Sequence, residues 1–281
     1  MRATDWSRSR SSVNSNKTVL GNFLRARRAH VLPADVGLRP DDGRRVSGLK
    51  REEVAMLADI SVEYYTRLEQ GRGADPSTKV VRALARALNL DDVCIEYVNR
   101  LTGRVDEQRR TIPPEKTYIM RELLDTWAHI PAYITDGNLD IVAVNERMHS
   151  LSSGAIRPGV NAVVAHFAPE NKRQIVNWDE LATRGIATLR FLGDRNSARY
   201  EEIVRELSTD PDFVSRWNLH EVARPSDLDS HLRLDGIGEI QMRVHNFEVP
   251  SLPFHTMTTQ YPKPDLEAFA STPKTSEKTL A

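Results

Sequence analysis

The stretch Leu49 to Gly71, LKREEVAMLADISVEYYTRLEQG, constrains the fold of this chain more than any other. Val54, Ala55 and Leu57 fall on one side of a helix from Lys50 to Ala58, with Lys50, Arg51, Glu52 and Glu53 on the other. Asp59-Ile60-Ser61 interrupts the pattern, and Ser61 is placed to cap a second helix from Val62 to Gln70 that Gly71 ends. Two helices joined by so short a turn must approach closely at one point, and small Ala55 supplies it. Ile60, Tyr65 and Leu68 complete the inner face of a helix-turn-helix, leaving Val62, Glu63, Thr66 and Arg67 on the outer face of the second helix. Such a face suits the major groove of a double helix.

Charge supports that reading. The 281 residues are neutral in sum, yet residues 1–110 carry 21 Lys and Arg against 15 Asp and Glu, while the remainder carries 18 against 24. A basic module joined to an acidic one fits a phosphate-binding domain followed by a domain with another partner. No apolar run approaches the ~20 residues of a membrane span and the N-terminus has no apolar signal core, so a cytoplasmic protein is expected. The single cysteine, Cys94, excludes an internal disulfide and lies among apolar residues as a packed side chain.

In chain order, residues 1–17 read as a disordered polar tail, and residues 18–103 as the helix-turn-helix domain, whose first helix runs from Val19 to His30. The connector from His30 to Leu49 is rich in Gly and Pro and carries Arg39, Arg44 and Arg45, which suit a phosphate row. Two further helices are expected after Pro76, with Val80, Leu84 and Leu88 and then Val93, Tyr97, Val98 and Leu101 inside. Residues 104–115 form a linker. A second domain, 116–263, begins with an amphipathic helix ending near Trp127 and continues with a hairpin turning at Gly137-Asn138. Helical segments follow around residues 160–167, 178–191, 200–207 and 211–217, and the domain closes with strands. Residues 264–281 read as a disordered tail. The expected fold is an all-α N-terminal domain plus an α+β, PAS-like domain built on an antiparallel sheet.

The helix pair resembles that of lambda-repressor-like (XRE) regulators. YYTRLEQGRG, the loop ending in GLKREEVA, and then LLDTWAHIPAYITD, Asn145, ELSTDPDFVSRW and GEIQMRVHNFEVP resemble the MmyB-like transcription regulators over about residues 18–262. The resemblance implies sequence-specific binding to double-stranded DNA, with Arg51 and Gln70 on phosphates, and a ligand-binding second domain. Asp59 departs from the family's usual glycine in the turn, which implies a mild strain.

The expected DNA-binding set is Arg51, Ser61, Val62, Glu63, Tyr64, Thr66, Arg67, Gln70 and Arg72, with Arg44 and Arg45 from the connector. Two copies on a palindrome, a homodimer, are the usual arrangement for such readers. Catalysis has little support: the histidines are scattered and no nucleophile elbow, phosphate loop or metal-ligand spacing occurs. No cofactor is expected. Trp127, Tyr133, Phe167, Trp178, Phe191, Phe213, Trp217 and Phe247 are candidates to line one apolar pocket for a small effector such as a fatty acid. The alternatives are a second domain that docks a partner protein, and a small-molecule enzyme tethered to a DNA reader.

Overall fold

The computed structural model describes residues 4–39, 44–104, 117–234, 236 and 238–263. The first part is a bundle of α1 (Thr4–His30), α2 (Arg51–Leu57), α3 (Val62–Glu69), α4 (Thr78–Ala87) and α5 (Asp92–Leu101). α1 starts at Thr4, well before the Val19 expected from the sequence. Once Leu20, Phe23 and Leu24 are buried, each residue added toward the N-terminus brings its own hydrogen bond without a new nucleation cost. The expected linker beyond Arg104 and the expected tail from residue 264 lie outside the described residues.

Local chemistry sets the helix ends. Ser61, Ser77 and Asp91 accept hydrogen bonds from the amides of Tyr64, Val80 and Cys94, which starts α3, α4 and α5. Asp59 closes α2 in the left-handed conformation, φ 53°, with the Ile60 amide donating to the Ala55 carbonyl at 3.0 Å. Gly71 does the same for α3, φ 65°. The bundle core is Phe23, Leu49, Val54, Ala55, Tyr65, Leu84 and Tyr97. Leu57 and Val80, expected inside, are half-buried, and Ala58 and Val81 take the inner positions. Cys94 is buried, which pushes its thiol up to about 12.

The second part comprises α6 (Thr117–Thr126), β1 (Ala132–Thr135), β2 (Ile141–Val144), α7 (Glu146–Leu151), α8 (Ala162–His166), α9 (Pro169–Gln174), α10 (Trp178–Leu192), α11 (Ala198–Leu207), α12 (Pro211–Trp217), β3 (Leu228–Leu234), β4 (Gly238–Glu248) and β5 (Thr256–Pro262). The strands form one antiparallel sheet in the order β2-β1-β5-β4-β3, the arrangement of a PAS-like domain. The β1–β2 turn is longer than the two-residue Gly137-Asn138 hairpin. The Asp136 carboxylate accepts the amides of Asn138 and Asp140, both at 2.9 Å, and Leu139 takes the left-handed conformation. Asn145 joins three pieces: its Oδ1 accepts the amides of Ala132 and Met148, and its Nδ2 donates to the Ile130 carbonyl. Each outer strand has backbone partners on its outer edge, Ile141 at the start of β2 with Gly159 and Val160, and His231 in the middle of β3 with Val176. Such pairing blunts an edge that another chain would otherwise extend.

Alternation along the strands gives the sheet two unlike faces. Ala132, Ile134 and Met257 meet Met120 and Leu124 of α6. The opposite face carries Tyr133 across from Thr258, Thr135 across from Thr256, and the buried apolar residues Ile141, Met242 and Val244. The two parts of the chain share one apolar cluster, which runs from Phe23, Tyr97 and Leu101 to Ile186, Leu189, Phe191 and Ile203.

Candidate nucleic-acid interface and ligand domain

α3 presents Ser61, Val62, Glu63, Arg67 and Gln70 to solvent with Tyr64 and Thr66 half-buried between them, and Arg72 follows, exposed. The spacing keeps Val62, Glu63, Thr66, Arg67 and Gln70 on one stripe of the helix. Glu63 and Arg67 pair at 3.5 Å across one turn with both side chains largely exposed, so partner groups can separate them at little cost. Tyr64 is held above the ordinary tyrosine range, chiefly by partial burial.

Under this stripe lies a carboxylate that the sequence pattern did not single out. Glu69, the last residue of α3, is 1% exposed, and accepts Arg28 Nε at 2.6 Å on one oxygen and Arg51 Nε at 2.7 Å on the other. Burial alone would raise its pKa, but the two guanidinium groups outweigh burial and hold the carboxyl below the usual range. Arg25 donates to the Glu69 carbonyl, and Arg28 also donates to the Leu49 carbonyl. α1 approaches so closely at Gly21 that a Cβ there would stand 2.5 Å from the Glu69 carbonyl oxygen. Arg51, expected on a phosphate, opens α2 with its side chain 41% exposed.

The connector between α1 and α2 places its two arginines differently. Arg44, expected at the DNA, is turned inward: its guanidinium grips Glu53 at 2.6 and 2.9 Å and the Gly48 carbonyl at 2.6 Å, leaving the side chain 9% exposed. Glu53 in turn accepts the Lys50 amide and is held below the carboxylate range, mainly by Arg44. Arg44 therefore fastens the connector to the first turn of α2, and Arg45 is the exposed cation of the pair.

The eight aromatic residues expected to line one pocket are divided among separate places. Phe167, Trp178, Phe213 and Trp217 pack on one another, with ring centroids 5.2–5.8 Å apart. Phe191 lies between the two parts of the chain, 4.3 Å beneath the Arg100 guanidinium. Trp127 and Phe247 pair on the α6 face of the sheet, whereas Tyr133 lies on the opposite face, as period-two alternation requires. Residue type marks a side chain as apolar and carries no information about which face receives it.

On that opposite face Tyr133 is half-buried beside Thr258 and Gln260, its hydroxyl pushed above the ordinary range chiefly by desolvation, and Thr258 Oγ1 donates to Asn246 at 2.8 Å. Hydroxyl and amide groups thus stand next to Met242, Val244 and Ile141. His166 is pushed down to about 4 by burial, and its Nδ1 has no hydrogen-bond partner among the described residues. Among those residues no group of three or more His, Cys, Asp or Glu is arranged to hold a metal ion, and no helix is long and apolar enough to cross a membrane.

The two parts touch through arginines. Arg100 of α5 donates to the Phe191 carbonyl, Arg195 lies 4.9 Å over the Tyr97 ring, Arg224 pairs with Glu96, and Arg27 of α1 reaches the His220 carbonyl at 3.5 Å. Arg190, 3% exposed, fixes the neighbouring segment by donating to the carbonyls of Trp217 and Glu221 while stacking 4.1 Å over Trp217. His220 is pushed down to about 4 by burial and by the nearby arginines.

A family model described as a helix-turn-helix domain matches residues 19–96, and one described as the MmyB-like transcription regulator ligand binding domain matches residues 118–271. No curated protein matches the chain.

Proposed function

Because the chain belongs to the MmyB-like transcription regulators, and is a DNA-binding regulator with a ligand-binding domain, we propose that α3 reads an operator under control of an apolar effector. The observation that carries the DNA half is the single exposed stripe of α3 flanked by cations. In this reading Val62, Glu63, Thr66 and Arg67 meet base edges, with Ser61 and Tyr64 beside them, while Arg51, Gln70, Arg72 and Arg45 meet phosphates. Two copies bind a palindrome as a homodimer, with half-sites about one helical turn apart. The reading assigns no catalysis to the chain and a cytoplasmic setting.

For the effector we assign a fatty acid or a similar elongated molecule to the sheet face opposite α6, and not to a pocket of all eight aromatics. Met242, Val244 and Ile141 suit its chain, each buried methylene adding ~0.8 kcal/mol, and Tyr133 with Thr258 suits a polar end. The contacts of α1 and α5 with the second part give the effector a route to α3. Effector binding that prefers one arrangement of the two parts by ~1–3 kcal/mol is enough to switch operator binding.

Operator selection followed by binding assays tests the first half. Arg67→Ala is expected to relax preference at one base position at a cost of ~1–3 kcal/mol, and Arg51→Ala to weaken all sequences alike and to lower the salt slope by about one. Equal loss on every sequence for Arg67→Ala would remove its reading role. Native mass spectrometry and solvent extraction of the purified protein test the second half: a co-purifying lipid supports it, and a protein that takes up no fatty acid even when titrated with one overturns it.

A further inference from the structure

We propose that Glu69 is a positioning residue for DNA binding, one that aims the Arg51 guanidinium at a phosphate of the operator. This rests on the reading above that Arg51 is a phosphate contact. Arginine has a flexible stem, and an exposed one at a helix start samples many rotamers, so a phosphate that captures it must also order it. Here the ordering is done before DNA arrives. The Glu69 carboxylate takes Arg51 Nε at 2.7 Å, which fixes the plane of the guanidinium from its inner edge, and the Arg51 side chain remains 41% exposed for a second anion. The Glu69 side chain is itself fully buried and its other oxygen is occupied by Arg28 Nε at 2.6 Å, so it cannot swing away with Arg51. Its backbone is fixed too, with its carbonyl under Gly21 and accepting from Arg25 at 3.2 Å. The same residue ends the reading helix, so the phosphate contact and the base-reading stripe share one anchor.

The expected effect of removing the Glu69 charge is opposite in sign to simple electrostatics. Deleting a carboxylate close to DNA should tighten binding, because one repulsion with the phosphates is lost. If Glu69 positions Arg51, Glu69→Gln should instead weaken operator binding, by about tenfold, the scale of one charge-assisted hydrogen bond. The experiment compares the full chain with E69Q, R51A, R51K and the double variant R51A/E69Q, by operator affinity across a salt series, each variant first shown to be folded by its thermal transition. The expected result is that E69Q and R51A each weaken binding, and that adding E69Q to R51A costs nothing further, because no guanidinium remains to be aimed. R51K keeps the charge but has no Nε edge to pair while still facing outward, so it should bind nearly as weakly as R51A. Tighter binding by E69Q, an undiminished further loss in R51A/E69Q, or full affinity in R51K would overturn the proposal. Should E69Q not fold, R51K against R51A decides alone. Should R51A bind as well as the parent, the reading of Arg51 as a phosphate contact fails, and that outcome is separate from the others.

Discussion

Glu69 at the end of α3 and Arg190 in α10 are both buried charges, and the molecule satisfies them by different chemistry. Around Glu69 the compensation is ionic: two guanidinium groups share one carboxylate, and one of them, Arg51, extends to the solvent-exposed surface. Around Arg190 it is neutral: two backbone carbonyls and the face of Trp217 take the cation, and burial lowers its pKa. An ionic centre can share its charge with an incoming phosphate and responds to acid. The groups that hydrogen-bond and stack on Arg190 are neutral, and they hold α10 against the segment whose His220 carbonyl meets Arg27 of α1. The end of α3 therefore rests on a shared ionic charge, and Arg190 on neutral groups.

The most damaging way to break this contrast is steric. Gly21→Ala puts a Cβ 2.5 Å from the Glu69 carbonyl and 2.8 Å from the Leu68 carbonyl, both backbone atoms that cannot turn aside. A loss of about 3 kcal/mol is expected in urea unfolding, at the upper end for overpacking, together with weaker operator binding. Gly185→Ala is the control in α10, where the new Cβ would meet His166 at an ordinary 3.5 Å; helix propensity makes that change neutral or stabilising by up to ~1 kcal/mol. Equal losses at the two sites would mean that the α1–α3 crossing is not specially close. Next in size is Arg190→Met, which leaves the Trp217 and Glu221 carbonyls without their donor and should cost about 2 kcal/mol. That loss should stay the same from low to high salt, since no ion pair is removed. A salt-dependent loss would show that a charge partner, and not the carbonyls, satisfies Arg190.

How much of this was legible beforehand follows the distance along the chain over which each feature is encoded. The α2–α3 unit was readable because its signals are local: Ser61 caps three residues on, Gly71 ends the helix it follows, and the buried positions repeat at helical spacing. Glu69 lies one turn after the inner residue Tyr65, so spacing alone turns it inward, but what compensates its charge is not encoded locally: Arg28 and Arg51 are 41 and 18 residues away, and only the crossing at Gly21 brings them together. Arg44, expected at the DNA, turns inward for the same reason, since its Glu53 partner lies across a loop that periodicity does not describe. The helices α8, α10, α11 and α12 and an antiparallel PAS-like sheet are expected from the sequence, but assigning Tyr133 and Phe247 to one pocket requires a register that strand composition does not contain. The short helices α7 and α9 have six residues each, too few for a periodic signal.

Acid sharpens the comparison with a smaller effect. His166 and His220, both in the second part, have pKa values pushed down to about 4, so the folded chain binds fewer protons than the unfolded chain between about pH 6.5 and 4. Stability supplied by these neutral rings is complete above about pH 6.5 and falls as the pH drops through that window. A loss of about 1–2 kcal/mol is expected after allowance for partial exposure. Glu69 has a lowered pKa, so its contribution is present above the ordinary carboxylate range and disappears only as the pH falls through its lower folded value. Segment-resolved hydrogen exchange should therefore show the second part loosening first, with α3 protected until stronger acid. Simultaneous loosening would mean that the shared apolar cluster makes the two parts one cooperative unit.

The smallest change acts on the turn between α2 and α3. Asp59 is left-handed at φ 53° so that its own amide and that of Ile60 can reach the Met56 and Ala55 carbonyls. A side chain with a Cβ pays about 1 kcal/mol for that conformation, and glycine does not, although glycine also gives the unfolded chain more freedom to lose. Asp59→Gly should therefore stabilise the bundle by no more than about 0.5–1 kcal/mol, measured as a raised midpoint in urea. Because Asp59 is exposed, the substitution also removes a negative charge from the turn beside the reading helix, and operator affinity should rise slightly at low salt and converge with the parent at high salt. The acid response assigned to His166 and His220 should be unchanged, because neither the turn nor its strain touches them. A shift in that response would show that α2 and α3 are coupled to the second part more tightly than the contacts through α1 and α5 explain.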